Sequence, residues 1–151
     1  MGARVSRART FLVGGNDAFL DGVVEWVARD AQFEVVGRAH SGSRALERIE
    51  ALHAELVVMD VTLPDMSGFE VARRIKARDP APLVVLLSFH DSKAARLEAW
   101  AAGADGFVAK SEITECLTPL VGDLLRQRDS VVGVEGSVIS FTRVPPTEIS
   151  E

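Results

Sequence analysis

Five short apolar runs, each followed by a stretch with helical spacing, constrain this chain more than any other feature. The runs cover residues 10–13, 33–36, 55–59, 83–87 and 106–109. They are nearly continuous rather than alternating, which is the pattern of strands buried on both faces of a parallel sheet. Between them apolar residues recur every three or four positions: Phe19, Val23, Trp26 and Val27; Ala45, Leu46, Ile49 and Leu52; Phe69, Val71, Ala72 and Ile75; Leu97, Trp100 and Ala101; and Ile113, Leu117, Leu120, Val121, Leu124 and Leu125. Each set predicts one buried helical face. Asn16 reads as a helix N-cap with Asp17 in the first turn, and Ser41-Gly42-Ser43 as a turn and cap. The third helix must end before Pro80, Gly103 closes the fourth, and Pro119 kinks the last. The expected fold is therefore α/β: one five-stranded parallel sheet with helices on both faces, a doubly wound (βα)5 unit.

In such a sheet the carboxyl ends of the strands face one crevice, and sites form there. Asp60, Ser88 and Lys110 each follow an apolar run, so three unrelated polar side chains are expected to converge. The chain has 151 residues, enough for one domain with a real core. We divide it into a basic leader (1–9), one domain (10–126) and a C-terminal extension (127–151). The extension reads as two short strands around a turn, then a disordered end after Pro145-Pro146. Arg4, Arg7 and Arg9 of the leader read as a solvated tail.

The net charge of −5 argues against direct nucleic-acid binding. No apolar run is long enough to span a bilayer, and the leader lacks the apolar stretch of a secretory signal. The single cysteine, Cys116, rules out an internal disulfide, reads as core filling, and points to a reducing cytoplasm. His40, His53 and His90 show no ligand spacing and read as solvated or locally bonded.

The segment Asp60-Val61-Thr62-Leu63-Pro64-Asp65-Met66-Ser67-Gly68, with Ser88 ending the fourth strand and Gly103-Ala104-Asp105-Gly106-Phe107-Val108-Ala109-Lys110 ending the fifth, resembles the receiver domain of two-component response regulators. The resemblance covers about residues 10–126 and implies a flavodoxin-like strand order and a bacterial signalling role rather than an enzyme. By position it makes Asp60 the phospho-acceptor, Lys110 the phosphate contact, Ser88 the switch hydroxyl and Phe107 the switch aromatic, with Pro64 and Gly68 shaping the loop. In that family an acidic pair after the first strand helps hold a Mg2+ ion for phosphoryl transfer from a partner's phosphohistidine.

The departures are as specific as the matches. The acidic-pair positions hold Gly14 and Gly15, which offer no side-chain oxygen, or which instead permit an altered loop through positive φ. Asp60 and Lys110 then sum to about zero charge, so the pocket is expected to bind no metal cofactor, with Mg2+ weak or absent, and the lysine to approach the aspartate directly. Phe89 stands where the family usually has a small residue and is expected to narrow or cover the pocket mouth. Ser111 replaces the family's usual proline, and Phe107 lacks a hydroxyl.

The reading is an atypical receiver acting through protein–protein contact. Its expected partner is a histidine kinase or an output protein, with a homodimer surface over about 91–126. The alternatives are a conventional phospho-switched receiver, recruiting metal through Asp60, backbone carbonyls and waters, and the receiver half of a helix-turn-helix regulator. The run Phe33-Glu34-Val35-Val36-Gly37, with Gly22, resembles receivers joined to such domains.

Overall fold

The computed structural model describes residues 7–129. Five strands, β1 (Ala8–Val13), β2 (Phe33–Ala39), β3 (Leu56–Asp60), β4 (Leu83–Ser88) and β5 (Gly106–Ala109), form one parallel sheet in the order β2-β1-β3-β4-β5. Helices α1 (Asp17–Val27), α2 (Gly42–Ala51), α3 (Gly68–Lys76), α4 (Lys93–Ala101) and α5 (Thr118–Asp129) connect and cover it. This is the expected doubly wound architecture, and its strand order reverses between β1 and β3, the switch point where a crevice opens.

Alternation along each strand sends neighbouring side chains to opposite faces. Phe11, Val13, Val57, Met59, Val84, Leu86 and Phe107 pack with α2, α3 and α4. Leu12, Leu56, Val58, Val85, Leu87 and Val108 pack with α1, the turn before α5 and α5 itself through Leu20, Val23, Val27, Leu117, Val121 and Leu124. Both faces are therefore filled, which is why the strand runs are apolar throughout. Four helices begin on a side-chain cap: Asn16, Ser41, Ser67 and Ser92 each accept a backbone N–H from three residues on.

Several elements depart from expectation. β1 begins at Ala8, inside the segment assigned to the leader. Arg7 and Arg9 are not a solvated tail: their guanidiniums donate to the carbonyls of Phe33 (3.1 Å) and Leu52 (2.7 Å). β2 runs on to Ala39 through a register shift opposite Thr10/Phe11. Gly37 makes this possible, since a Cβ there would lie 2.9 Å from the ring of buried Phe11. The apolar set on α4 faces outward: Leu97 and Trp100 are exposed, and Ala99 and Ala102 take the inner side. The last helix does not run from Ile113 with a kink. A 3-10 turn (Lys110–Glu112) and a π-helical turn (Ile113–Leu117) precede it, and α5 starts at Thr118. Pro119 thus sits in a first turn, where its missing N–H costs little. Cys116 is half-buried at the edge of the core rather than within it, and burial raises its thiol pKa. Among the described residues no helix is long and apolar enough to cross a membrane. The strand pair expected after Arg128 lies outside the described residues.

Candidate functional site

Asp60 is the last residue of the central strand β3 and is buried. The chain leaves it in a tight reversal. Val61 donates its N–H to Leu87 (3.0 Å), Thr62 and Ser67 form a bridge, and Gly68 donates back to the Val61 carbonyl (2.8 Å). Gly68 has to be glycine: a Cβ there would lie 2.4 Å from the Asp60 carbonyl oxygen and 2.8 Å from the Val61 Cα. The start of α3 is therefore pressed onto the backbone of Asp60. The carboxylate accepts on both oxygens, Oδ1 from the Thr62 N–H (3.0 Å) and Oδ2 from the Lys110 ammonium (2.6 Å).

Lys110 follows β5 and reaches over the sheet end, so the pair spans β3 to β5 with side chains only 9% and 8% exposed. Its ammonium also faces two aromatic rings, Phe19 at 4.4 Å and Phe89 at 4.0 Å from the ring centres. Both distances are well inside the range of cation–π attraction. The direct lysine–aspartate contact is the one expected from the charge count. Phe89 is 76% exposed and lies across the ammonium on the outer side of the pair.

Gly14 is buried and Gly15 exposed at the end of β1. Neither adopts positive φ, so the altered-loop reading of the pair fails. A Cβ on Gly14 would lie 3.2 Å from Leu20 Cδ2 and 3.4 Å from Phe19 Cδ2, and one on Gly15 would touch Pro64 at 3.4 Å. Pro64 is thus the loop residue bordering the glycines, and is exposed. Asp17, the nearest acid in sequence, lies in the first turn of α1 and is hydrogen-bonded to the His40 ring.

Ser88 is buried beside the site, and its hydroxyl is engaged locally, donating to the His90 carbonyl (2.9 Å) and accepting its N–H (3.1 Å). It caps the β4–α4 loop. Phe107 is buried among the residues under α3 and α4, with its ring inside the core. Asp91, in the loop before α4, is gripped by Arg96 (2.5 and 2.8 Å), which holds its carboxyl below the usual range.

Four residues that brace the site or the sheet are not apparent from the sequence pattern: Phe19, Asp65, Lys76 and Asp105. Phe19 fits the apolar face of α1 but turns its ring to Lys110. The signal for this was its place in the first helical turn after the glycine pair, where a side chain points back toward the sheet end. Asp65 accepts the N–H groups of Gly42 (2.7 Å) and Ser43 (3.0 Å), joining the loop after Asp60 to the start of α2. Those backbone bonds hold its carboxyl below the ordinary value. At the opposite sheet end, Asp105 and Lys76 form a second pair at 2.7 Å.

A family model described as the response regulator receiver domain matches residues 11–121. The chain is similar to the DNA-binding transcriptional activator DevR/DosR of Mycobacterium tuberculosis, with 35% identity over 102 residues, 68% of this chain and 47% of that protein. It is similar to the chemotaxis protein CheY of Thermotoga maritima, with 31% identity over 121 residues, 78% of this chain and 96% of that protein. Among solved structures it is similar to a LuxR-family two-component response regulator from Aurantimonas sp. SI85-9A1, with a TM-score of 0.76, 30% identity, and 80% and 86% of the two chains covered. The chain spans about half the length of the transcriptional regulators it matches.

Proposed function

Because this chain belongs to the response regulator receiver domain family, we propose that it is an atypical receiver, a signalling module that works through protein contact without Mg2+-dependent phosphorylation of Asp60. One observation carries this reading: the Asp60 carboxylate is already satisfied on both oxygens, by Thr62 and by Lys110 at 2.6 Å. Mg2+ takes six oxygen ligands, with carboxylates supplying one or two of them. The residues present do not fit it. Positions 14 and 15 supply no carboxylate, Asp17 is turned to His40, and the cation nearest Asp60 is a fixed ammonium that would repel a second one. The partner in this reading is a histidine kinase or an output protein. The surface over about 91–126 supports it, since Leu97 and Trp100 stand exposed on α4. Phe107, the family's switch aromatic, is already inside the core, so this surface does not wait on phosphate to draw it in.

A second reading, the receiver half of a DNA-binding regulator, is favoured by the similarity to DevR/DosR, a protein described as a DNA-binding transcriptional activator. The two readings are compatible at the level of this domain. The deciding experiment incubates the chain with Mg2+ and a small phosphodonor and reads intact mass, with molecular size measured in parallel. We expect no acyl phosphate and no change in size on adding the donor. A phosphoryl adduct on Asp60 that changes the oligomeric state would return the chain to the conventional switch.

A further inference from the structure

Phe19 and Phe89 come from different elements, the first turn of α1 and the residue after β4, yet their rings meet on the same ammonium. With Asp60 at 2.6 Å they give Lys110 three partners, one charged and two aromatic. Phe89 stands exposed to water on one side, and its ring face lies on the lysine, 4.0 Å from the ring centre. Phe19 has a second effect. Together with Leu20 it lines the space beside Gly14, where a methyl group would press on Leu20 Cδ2 at 3.2 Å and rest against the Phe19 ring at 3.4 Å. Phe19 and Leu20 thus close the ground beside Gly14, while Phe19 and Phe89 together face the cation held on Asp60.

We infer that Phe19 and Phe89 are positioning residues that clamp Lys110 onto Asp60 as the site's resident counter-cation, so that carboxylates restored at positions 14 and 15 do not by themselves recover a divalent-cation site. This deepens the atypical-receiver reading and rests on it for its meaning, but its test is separate. Three variants of the full chain are compared: Gly14→Asp/Gly15→Asp, Phe19→Leu/Phe89→Ala, and all four changes together. Mg2+ alone is the probe, titrated by calorimetry with no phosphodonor. The side-chain NMR signals of Lys110 are recorded in metal-free protein.

Two cation–π contacts at a partly exposed site together hold the lysine by about a factor of ten. The fourfold variant should therefore bind Mg2+ about tenfold more tightly than Gly14→Asp/Gly15→Asp. The Lys110 ε-methylene protons should be shifted upfield by the rings in the unaltered protein and return downfield in Phe19→Leu/Phe89→Ala. Equal Mg2+ affinity with and without the phenylalanines would overturn the clamp, as would ε-methylene signals that do not move. Where the fourfold variant fails to fold, Phe89→Ala alone decides through the same NMR shift, because it alters an exposed side chain. Tight Mg2+ binding by the unaltered protein would defeat the atypical-receiver reading, and the ε-methylene shifts would still decide separately whether the rings hold the lysine.

Discussion

Two lysine–carboxylate pairs sit at opposite ends of the same sheet and are held by different means. Asp105 precedes β5, at the amino ends of the strands, and Lys76 reaches it from the end of α3 at 2.7 Å. That pair is laced into the backbone: Lys76 also donates to the Pro82 carbonyl (2.9 Å), and Asp105 also accepts the Val84 N–H (2.9 Å). At the carboxyl ends Lys110 and Asp60 are as close, at 2.6 Å, and Asp60 likewise accepts a backbone N–H, from Thr62 (3.0 Å), but Lys110 is more buried than Lys76 and is flanked by ring faces. Backbone hydrogen bonds are directional and break at a cost, whereas a ring face constrains direction only loosely. The same ion pair thus serves as a structural pin at one end, tied to backbone through both partners, and at the other is held on the lysine side by ring faces.

The largest expected effect tests that difference. Lys76→Met removes the ammonium from buried Asp105 and from the Pro82 carbonyl together, so it should destabilise by about 3 kcal/mol. Lys110→Met likewise takes the cation from a buried carboxylate, but its thioether stays between Phe19 and Phe89, where sulfur–aromatic contact offsets about 1 kcal/mol, so the loss should be about 2 kcal/mol. Denaturant unfolding of the two variants measures both. Equal losses would mean that Lys110 is as much a structural pin as Lys76, and the contrast between the two ends would be wrong.

A smaller effect is expected from Gly68→Ala, which separates the two ends by a purely steric change. The added methyl must displace the Asp60 carbonyl region from 2.4 Å, at a cost of about 1–3 kcal/mol typical of overpacking. Amide shifts should spread through Asp60, Thr62 and Lys110 and leave Asp105 and Val84 in place. Shifts of equal size at both ends would show that the site is not mechanically separate from the pin.

Much of this molecule is legible before any coordinates. The sheet is, because β3 and β4 are buried on both faces and apolar along nearly their whole length. So is the meeting of Asp60, Ser88 and Lys110, because parallel strands end on one side, and so is the Asp60–Lys110 contact, once the acidic pair is seen to be missing. What resists reading is orientation. Leu97, Trp100 and Ala101 have the spacing of a buried stripe, but Ala99 and Ala102 are what pack in one cluster with the inward Phe107, and the larger residues turn out. Phe19 fits an apolar helix face equally well pointing at the core or back along the helix to Lys110. Periodicity identifies a face without saying what it meets. Likewise Pro119 marks a helix irregularity, but whether it kinks a helix or opens one depends on the turns before it.

The smallest effect concerns the loop that carries the site. Asp65 is exposed, yet its carboxylate accepts two N–H groups at the start of α2, where the helix dipole also favours negative charge. Those bonds hold its pKa below the ordinary carboxylate value. A carboxyl depressed in the folded state stabilises above its unfolded value of about 3.9, and that contribution disappears as pH falls through the lower folded value. Asp65→Asn should therefore melt slightly below the unaltered chain at neutral pH, and the two melting temperatures should converge in acid, below the usual carboxylate range. Glu70, depressed by its hydrogen bonds to Arg74 and Arg73, titrates nearby but is common to both proteins and cancels in the difference. The Lys110 signals should stay where they are, since the rings and not the α2 contact hold that lysine. A melting difference that persists unchanged to low pH would mean that Asp65 acts through shape and not charge. Movement of the Lys110 signals would tie the loop to the clamp and remove the independence claimed for the site's two supports.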